Sequence, residues 1–331
     1  MNRQSAFGAL QSDVQAFSTQ VIALPLRRYQ QEWAQYVLEV VRGGRDETVT
    51  VEMPRQTGKN QTSAHLELCV LGWAGYRAEG GRIIKAAPTF QQVANSIDRS
   101  RSMAERVMAR VGWLKYTSRR GHQLVCGRAA ISFLSAQPKS CVVGETASLL
   151  MEVDEAQDVS PAKYDKDFSP MRASTAAPVV AYGTTWTDDT LLEQFKQSVL
   201  EGRVRGRVFR VLPEQVCNEN EAFARHLERE IARLGRDHPL IRTQYYLEPL
   251  KNKGRLLSDQ QLRQMVGEHK AAERRSGQGI VVAGLDFAGA DEDAGDMASL
   301  NTGSKRDSVA LTVGQVQWVK LVEGVRVPVV R

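Results

Sequence analysis

Residues 48–61 read TVTVEMPRQTGKNQ, and the reading of this stretch decides the fold. Thr48 to Met53 is rich in β-branched residues, which favour a strand. Pro54 to Gly58 interrupts it, and Ala64, Leu68, Leu71 and Ala74 then recur at helical spacing. A strand, a loop ending in Gly58-Lys59 and a helix form the context in which backbone N–H groups at a helix start face an anion. Gly58 permits close backbone approach, and Lys59 brings a point charge suited to β and γ phosphates. Against the pattern GxxxxGK[ST], Met53 stands in place of the first glycine and Asn60 in place of the hydroxyl residue.

Downstream, short β-branched runs alternate with longer helical stretches, the pattern of a mostly parallel sheet covered by helices. Arg82 to Ala87 reads as a second strand. The helix after it carries the stripe Phe90, Val93, Ala94, Ile97, Ala104, Val107, Met108 and Val111. HQLVC and AAISFL flank Gly127-Arg128 as a hairpin, and further strands are predicted at Ser148 to Val153, Val179 to Tyr182 and Arg207 to Leu212. A helix is expected from about Glu219 to Leu234, closed by Gly235. The strand ending at Val153 delivers Asp154 and Glu155 to its C-terminal end, where open α/β sheets bind ligands. Asp154 suits Mg²⁺, and Glu155 can orient and deprotonate a water. Either motif alone has a bland reading, a helix start or a solvated acidic cap; both in this order point to nucleotide binding.

The chain has 331 residues, room for two domains at about 150 each. Hydrophobic residues make up 42% and charged residues 25%, enough to bury a core and unlike a disordered chain. Lys plus Arg is 44 against 38 for Asp plus Glu, a net charge of +6 that favours an acidic partner, nucleic acid first. Cys69, Cys126, Cys141 and Cys217 stand apart with no CxxC, so they read as reduced thiols rather than a zinc site or disulfide framework. No apolar stretch suits a signal peptide or a membrane span, so a soluble intracellular protein with no membrane partner is expected. The first domain is expected over residues 1–250, a basic linker over 251–279, with Ser258 and Gln261 spaced as a capping box, and a second unit over 280–331. That unit opens on the strand IVVAGLD, passes an acidic loop from Asp291 to Asp307 and continues in SVALTVGQVQWV.

The ordered set LRRYQQEW, MPRQTGKNQ, AAPTFQQVANS, FLSAQPKSCVVGETASLLMEVDEAQDV and VVAYGTTW resembles the ATPase domain of tailed-phage terminase large subunits, the motors that package DNA into procapsids. GLDFAG after a basic linker resembles the first strand of the family's RNase H-like nuclease domain. The resemblance implies an α/β P-loop NTPase of the ASCE type with a mostly parallel sheet, followed by an incomplete RNase H-like β-hairpin unit. It implies ATP and Mg²⁺ as ligands. It also implies double-stranded DNA, a portal protein and procapsid, and the small terminase subunit as partners, a homo-oligomeric ring, pentameric in the family, and the host cell cytoplasm rather than the mature virion as location. By resemblance, Gln30 matches an adenine-reading glutamine. Arg55 and Lys59 match phosphate contacts in a loop comprising Arg55, Gln56, Thr57, Gly58, Lys59 and Asn60. Gly183, Thr184 and Thr185 match a coupling motif that senses the γ phosphate. Asn60 falls where a metal-binding hydroxyl is commoner, although an amide oxygen also ligates hard cations.

Two departures stand out. Family members often carry an arginine finger in the loop before the Walker B strand, frequently just before the glycine of that loop, but Val143 precedes Gly144, leaving Lys139 or Arg172 as candidates for a cation acting on a neighbouring subunit. The nuclease-like unit supplies Asp286, where the family binds catalytic metal, but the sequence runs to Arg331 without the later carboxylates of a two-metal site. ATP hydrolysis without DNA cleavage is therefore expected of this chain. Basic residues cluster at Arg99, Arg101, Arg106, Arg110, Lys115, Arg119 and Arg120, at Arg203, Arg205, Arg207 and Arg210, and from Lys251 to Arg275. These are solvated faces or phosphate contacts. The alternatives are a helicase-like ATPase, which would carry a second motor domain, and a non-catalytic DNA- or partner-binding module.

Overall fold

The computed structural model describes residues 8, 10–142, 144–250, 280–286, 310–322 and 325–330. The chain divides into two compact units, Met1–Leu256 and Leu257–Arg331. Among the described residues no helix is long and apolar enough to cross a membrane.

The first unit is built on eight strands: Thr48–Glu52 (β1), Gly81–Ala87 (β2), Tyr116–Arg119 (β3), Gln123–Cys126 (β4), Ala129–Ser135 (β5), Leu150–Val153 (β6), Val179–Gly183 (β7) and Gly206–Arg210 (β8). They form one sheet in the order β3-β4-β5-β2-β6-β7-β1-β8. From β5 to β8 all neighbours are parallel, and the antiparallel pairs are β3–β4 and β4–β5, so that β4 alone runs against the other strands of this sheet. The C-terminal ends of β1, β2, β5, β6 and β7 therefore share one edge, where the loops carrying Gly58, Glu155 and Thr184 emerge. At the sheet's end, β8 exposes Arg207 and Arg210, charges that blunt an open strand edge.

Among the described residues, the α-helices of six residues or more around this sheet are Arg28–Arg42 (α1), Lys59–Gly75 (α2), Phe90–Arg110 (α3), Leu191–Leu200 (α4), Glu221–Leu234 (α5) and Pro239–Gln244 (α6). The strands bury both faces by alternation. Val49, Val51, Ile83, Ile131, Val180 and Tyr182 join the core under α1, α2 and α3, whereas Ile84, Ala86, Met151, Val153, Val179 and Ala181 join a second core with Phe168, Leu191 and Leu192. Helix α2 is buried on nearly every side, as suits an element held between the sheet and two flanking helices. On α3 the buried stripe is Val93, Ser96, Ile97, Ser100, Met103, Ala104 and Val107. Phe90, read from the sequence as part of it, is 68% exposed, because it begins the helix at the rim of the core. The strand expected to reach Leu212 ends at Arg210, and the helix expected from Glu219 starts at Glu221, where Asn220 Oδ1 accepts the Phe223 N–H.

The second unit contains Ile280–Asp286 (β9), Ala310–Val322 (β10) and Val325–Val330 (β11), an antiparallel sheet in the order β11-β10-β9. Asp286 is opposite Ala310 in its register. The expected linker helix, the Lys251 to Arg275 basic run, the acidic loop from Asp291 to Asp307 and Val143 lie outside the described residues.

Candidate active site

The loop between β1 and α2 is held by its own side chains and by α1. Gln56 and Gly58 take positive φ angles of 61° and 91°. The Thr57 hydroxyl donates to Pro54 O at 2.6 Å, so this side chain shapes the loop from within. Thr57 O accepts Tyr29 OH at 3.2 Å and Gln30 Nε2 at 3.0 Å, while Gln30 Oε1 accepts the Arg27 N–H at 2.9 Å. Gln30 is thus buried with both ends of its amide engaged by backbone. In this structure it braces the loop, with one N–H of Nε2 and one lone pair of Oε1 used by these two bonds. A Cβ on Gly58 would overlap Gln30 Nε2, so both conformation and space require glycine there. The Arg55 N–H donates to Gln244 O at 3.1 Å, which ties the loop to the end of α6.

From this loop a chain of hydrogen bonds runs across three strand ends. The buried Lys59 Nζ donates to Thr184 Oγ1 at 3.2 Å, and the Thr184 hydroxyl donates to Met53 O at 3.1 Å. The Thr184 N–H donates to Gln157 Oε1 at 3.1 Å, and Gln157 Nε2 donates to Glu155 Oε2 at 2.8 Å and to Asp158 Oδ2 at 3.0 Å. Gln157 therefore joins the acidic loop after β6 to the loop after β7. Gly183 makes room for it, since a Cβ there would overlap Gln157 Oε1. Glu155 itself has φ +45°, a conformation that costs a non-glycine residue about 1 kcal/mol or more and that clusters at functional sites. Thr185 turns the other way: its hydroxyl donates to Glu52 Oε1 at 2.9 Å, which also accepts Lys196 Nζ of α4 at 3.0 Å.

Asp154 is buried, with Oδ1 accepting the Glu155 N–H and Oδ2 accepting Asn60 Nδ2, each at 3.0 Å. Burial raises its pKa, the neighbouring Glu155 raises it further, and Lys85 and Lys59 oppose this. Beneath the site, Lys85 is 2% exposed and donates to Ser63 Oγ at 2.6 Å and Glu67 Oε1 at 2.7 Å. Glu67 Oε2 accepts the Ser100 hydroxyl at 2.9 Å, and Glu152 Oε1 accepts Tyr182 OH at 2.6 Å. Burial works against the Lys85 cation, but Glu67, Glu152 and Asp154 outweigh it and hold its amine above the ordinary lysine value. Burial, then Glu67, push the Glu152 carboxyl well up, against the pull of Lys85.

Arg27, Arg55, Lys59, Arg99 and Glu155 line a cavity of about 470 Å³ over the start of α2, in the size range of small-ligand sites. Gln56, Thr57, Gly58 and Asn60 complete its floor. Arg99 was legible only as one member of a basic run. Its seven-residue spacing from Gln92, which shares the cavity wall, puts both on one face of α3 and was the available signal. A carboxylate and an amide side by side at Asp154 and Asn60 are a donor set suited to Mg²⁺, which is usually held by one or two protein oxygens together with substrate phosphates. Lys139 is exposed in the loop after β5 and does not line the cavity. Arg172 is not brought to it either: its guanidinium pairs with Asp46 and donates to Ala177 O at 2.5 Å, before the N-terminal end of β1 and so at the opposite sheet edge from Gly58. Asp286 belongs to the second unit.

No family model matches the sequence, and no curated protein matches it. Solved structures do. The HK97 bacteriophage large terminase superposes with a TM-score of 0.61 at 15% identity, over 86% of this chain and 65% of that one. The large terminase ATPase domain of Thermus phage P74-26 gives 0.52 at 15% identity, over 69% of this chain and 95% of that domain. The large terminase of a thermophilic bacteriophage in complex with ADP gives 0.51 at 11% identity, over 66% and 52%. The chain thus spans less than two thirds of the first and third of these proteins. At such identities the likeness establishes the fold: a mostly parallel eight-stranded α/β sheet with flanking helices, arranged as in large terminase ATPase domains.

Proposed function

We propose that this chain is the motor part of a phage terminase large subunit, hydrolysing ATP to move double-stranded DNA into a procapsid. The observation that carries the reading is the hydrogen-bonded path from Lys59 through Thr184 and Gln157 to Glu155, bordering a basic cavity at the strand ends. The fold likeness to large terminases, one of them bound to ADP, supports it.

In this reading the amides of the Arg55 to Asn60 loop and the Lys59 ammonium hold the phosphate chain, and Arg55 covers it from the α6 side. Asn60 and Asp154 would hold Mg²⁺, which when bound neutralises charge on the phosphates. Glu155 Oε accepts a proton from water as its oxygen attacks the terminal phosphorus, and the bond from that phosphorus to the departing ADP oxygen breaks. Gln157 fixes the carboxylate in place and links it to Thr184, so that occupation of the phosphate site is felt on β7. Thr185, through Glu52 and Lys196, carries that state to α4. The implied partners are DNA, a portal and procapsid, a small terminase subunit and further copies of the chain in a ring, in the host cytoplasm. The unit carrying Asp286 would be the start of the nuclease domain, with DNA cleavage not expected of this chain.

The test is ATP turnover and nucleotide binding in two variants. Lys59→Ala should abolish nucleotide binding, and Glu155→Gln should keep binding while hydrolysis falls by about two to four decades, the scale of a lost general base. Turnover that survives both changes at the wild-type rate would exclude the motor reading.

A further inference from the structure

On α3, Arg99 is the arginine that lines the cavity over the phosphate loop. Arg101 donates to Gly121 O at 2.9 Å, and Arg110 donates to Gln20 O at 3.4 Å. Asp98, the neighbouring acid, faces Arg101 at 3.9 Å. Arg99 has no ion pair among the described residues, and its Nη1, like Arg101 Nε, is buried without a hydrogen-bond partner; of the two, Arg99 is the one that lines the cavity. A guanidinium keeps its charge at any physiological pH, and a buried N–H left unpaired is costly. This group therefore awaits an acceptor that the described residues do not supply. Glu155, in the same cavity, is held by Gln157 instead.

The position of Arg99 specifies that acceptor. It lines the 470 Å³ cavity over the phosphate loop and also an adjoining one of about 410 Å³, and Gln61 lines both. Gln61 is the third residue of α2, just past Lys59 and Asn60. In a loop of this kind the backbone at the helix start cradles the α and β phosphates, while the lysine reaches for the β and γ phosphates. Here Lys59 leans towards Thr184, and Arg99 lines the cavity with Gln61. We infer that Arg99 is a phosphate-binding residue, supplied by the same chain, that grips the α/β portion of the nucleotide, the part common to substrate and diphosphate product. This rests on the proposed nucleotide-binding reading of the loop. It differs from a transition-state finger, because a contact made equally to substrate and product contributes to binding and not to the chemical step.

The test uses the full chain at concentrations where it is dilute, with fluorescent ADP and a non-hydrolysable ATP analogue as probes. Arg99→Ala should weaken both by about 10- to 100-fold, the scale of a charge-assisted hydrogen bond, and raise KM by a similar factor with kcat within about threefold. Arg99→Lys should recover part of the affinity, since it keeps the charge and loses the fork. Arg110→Ala, on the same helix and outside the cavity, should bind both probes like wild type. Wild-type affinity in Arg99→Ala overturns the inference, and so does a loss limited to kcat or to the triphosphate analogue. An equal loss in Arg110→Ala also overturns it. Failure of the wild-type chain to bind either nucleotide would instead reject the nucleotide-site reading itself.

Discussion

Replacing Gln157 by leucine removes one side chain from the middle of the site without touching the phosphate loop. The substitution deletes the 2.8 Å bond to Glu155, the 3.0 Å bond to Asp158 and the acceptor of the Thr184 N–H. The bond to Glu155 is the one that bears on rate, since it fixes a carboxylate already held at a backbone angle that non-glycine residues avoid. A hydrogen bond to a charged group is worth about 1.5–3 kcal/mol, and each 1.36 kcal/mol is a decade in rate. If that bond selects the productive orientation of Glu155, kcat should fall by about 10- to 150-fold in Gln157→Leu. The loss should be smaller than in Glu155→Gln, and the double variant should be no slower than Glu155→Gln, because both changes act through one group. Affinity for a non-hydrolysable ATP analogue should stay within about twofold, as Lys59 and the loop are untouched. Steady-state phosphate release and equilibrium binding measure both quantities. Unchanged kcat in Gln157→Leu, or strict additivity with Glu155→Gln, would refute a positioning role for Gln157.

Two further expectations concern the frame around the site. Gly58→Ala adds a Cβ that displaces Gln30 and forces a residue with φ +91° into the left-handed region, together about 2–3 kcal/mol, so ADP affinity should drop by roughly 30- to 150-fold in a binding titration if the loop relaxes when empty. Lys85→Met strips the cation from Glu67, Glu152 and Asp154 and should lower stability by about 3–5 kcal/mol, read as an earlier urea transition by circular dichroism, with a shift of under 1 kcal/mol disproving the compensation. Because the folded amine is held above its unfolded value, the Lys85 contribution is fully present below about pH 10 and is lost only as pH rises through the folded value.

Much of the fold was legible because its signals are local. β-branched runs at Thr48, Arg82 and Val179, and the Gly127-Arg128 turn, each mark an element within a few residues, and the structure places strands at all of them. The short β3, YTSR, gave no such signal: three of its four residues are exposed and polar, and it is a strand because β4 offers it an edge. Lys59, Asp154 and Glu155 were legible for a related reason, since each follows or ends an element in its own segment. Ser96 and Ser100 were passed over in the α3 stripe because a hydrophobic pattern does not register hydroxyl residues, although both are buried and Ser100 donates to Glu67.

What the sequence withheld is set by strand order. Gln157 lies two residues from Glu155, yet its partner Thr184 is 27 residues on and reaches it only because β7 pairs with β6. Lys85, Glu152 and Tyr182 occupy three strands that no local pattern connects; they meet because β2, β6 and β7 are consecutive in the sheet. The same order sets where Arg172 stands: the segment after Met171 turns back to feed β7 from its N-terminal end, so Arg172 arrives beside Asp46, a strand's length away from the Gly58 of its own chain. Gln30 shows the converse. Resemblance gave it as an adenine-reading glutamine, but its partners here are the backbone groups of Arg27 and Thr57, and backbone groups leave no trace in sequence. The pocket thus depends on two kinds of information, motif residues that bring charge to the strand ends and a sheet order that aims them. The second is why Arg99, on the helix that follows β2, reaches a cavity floored by the loop that follows β1.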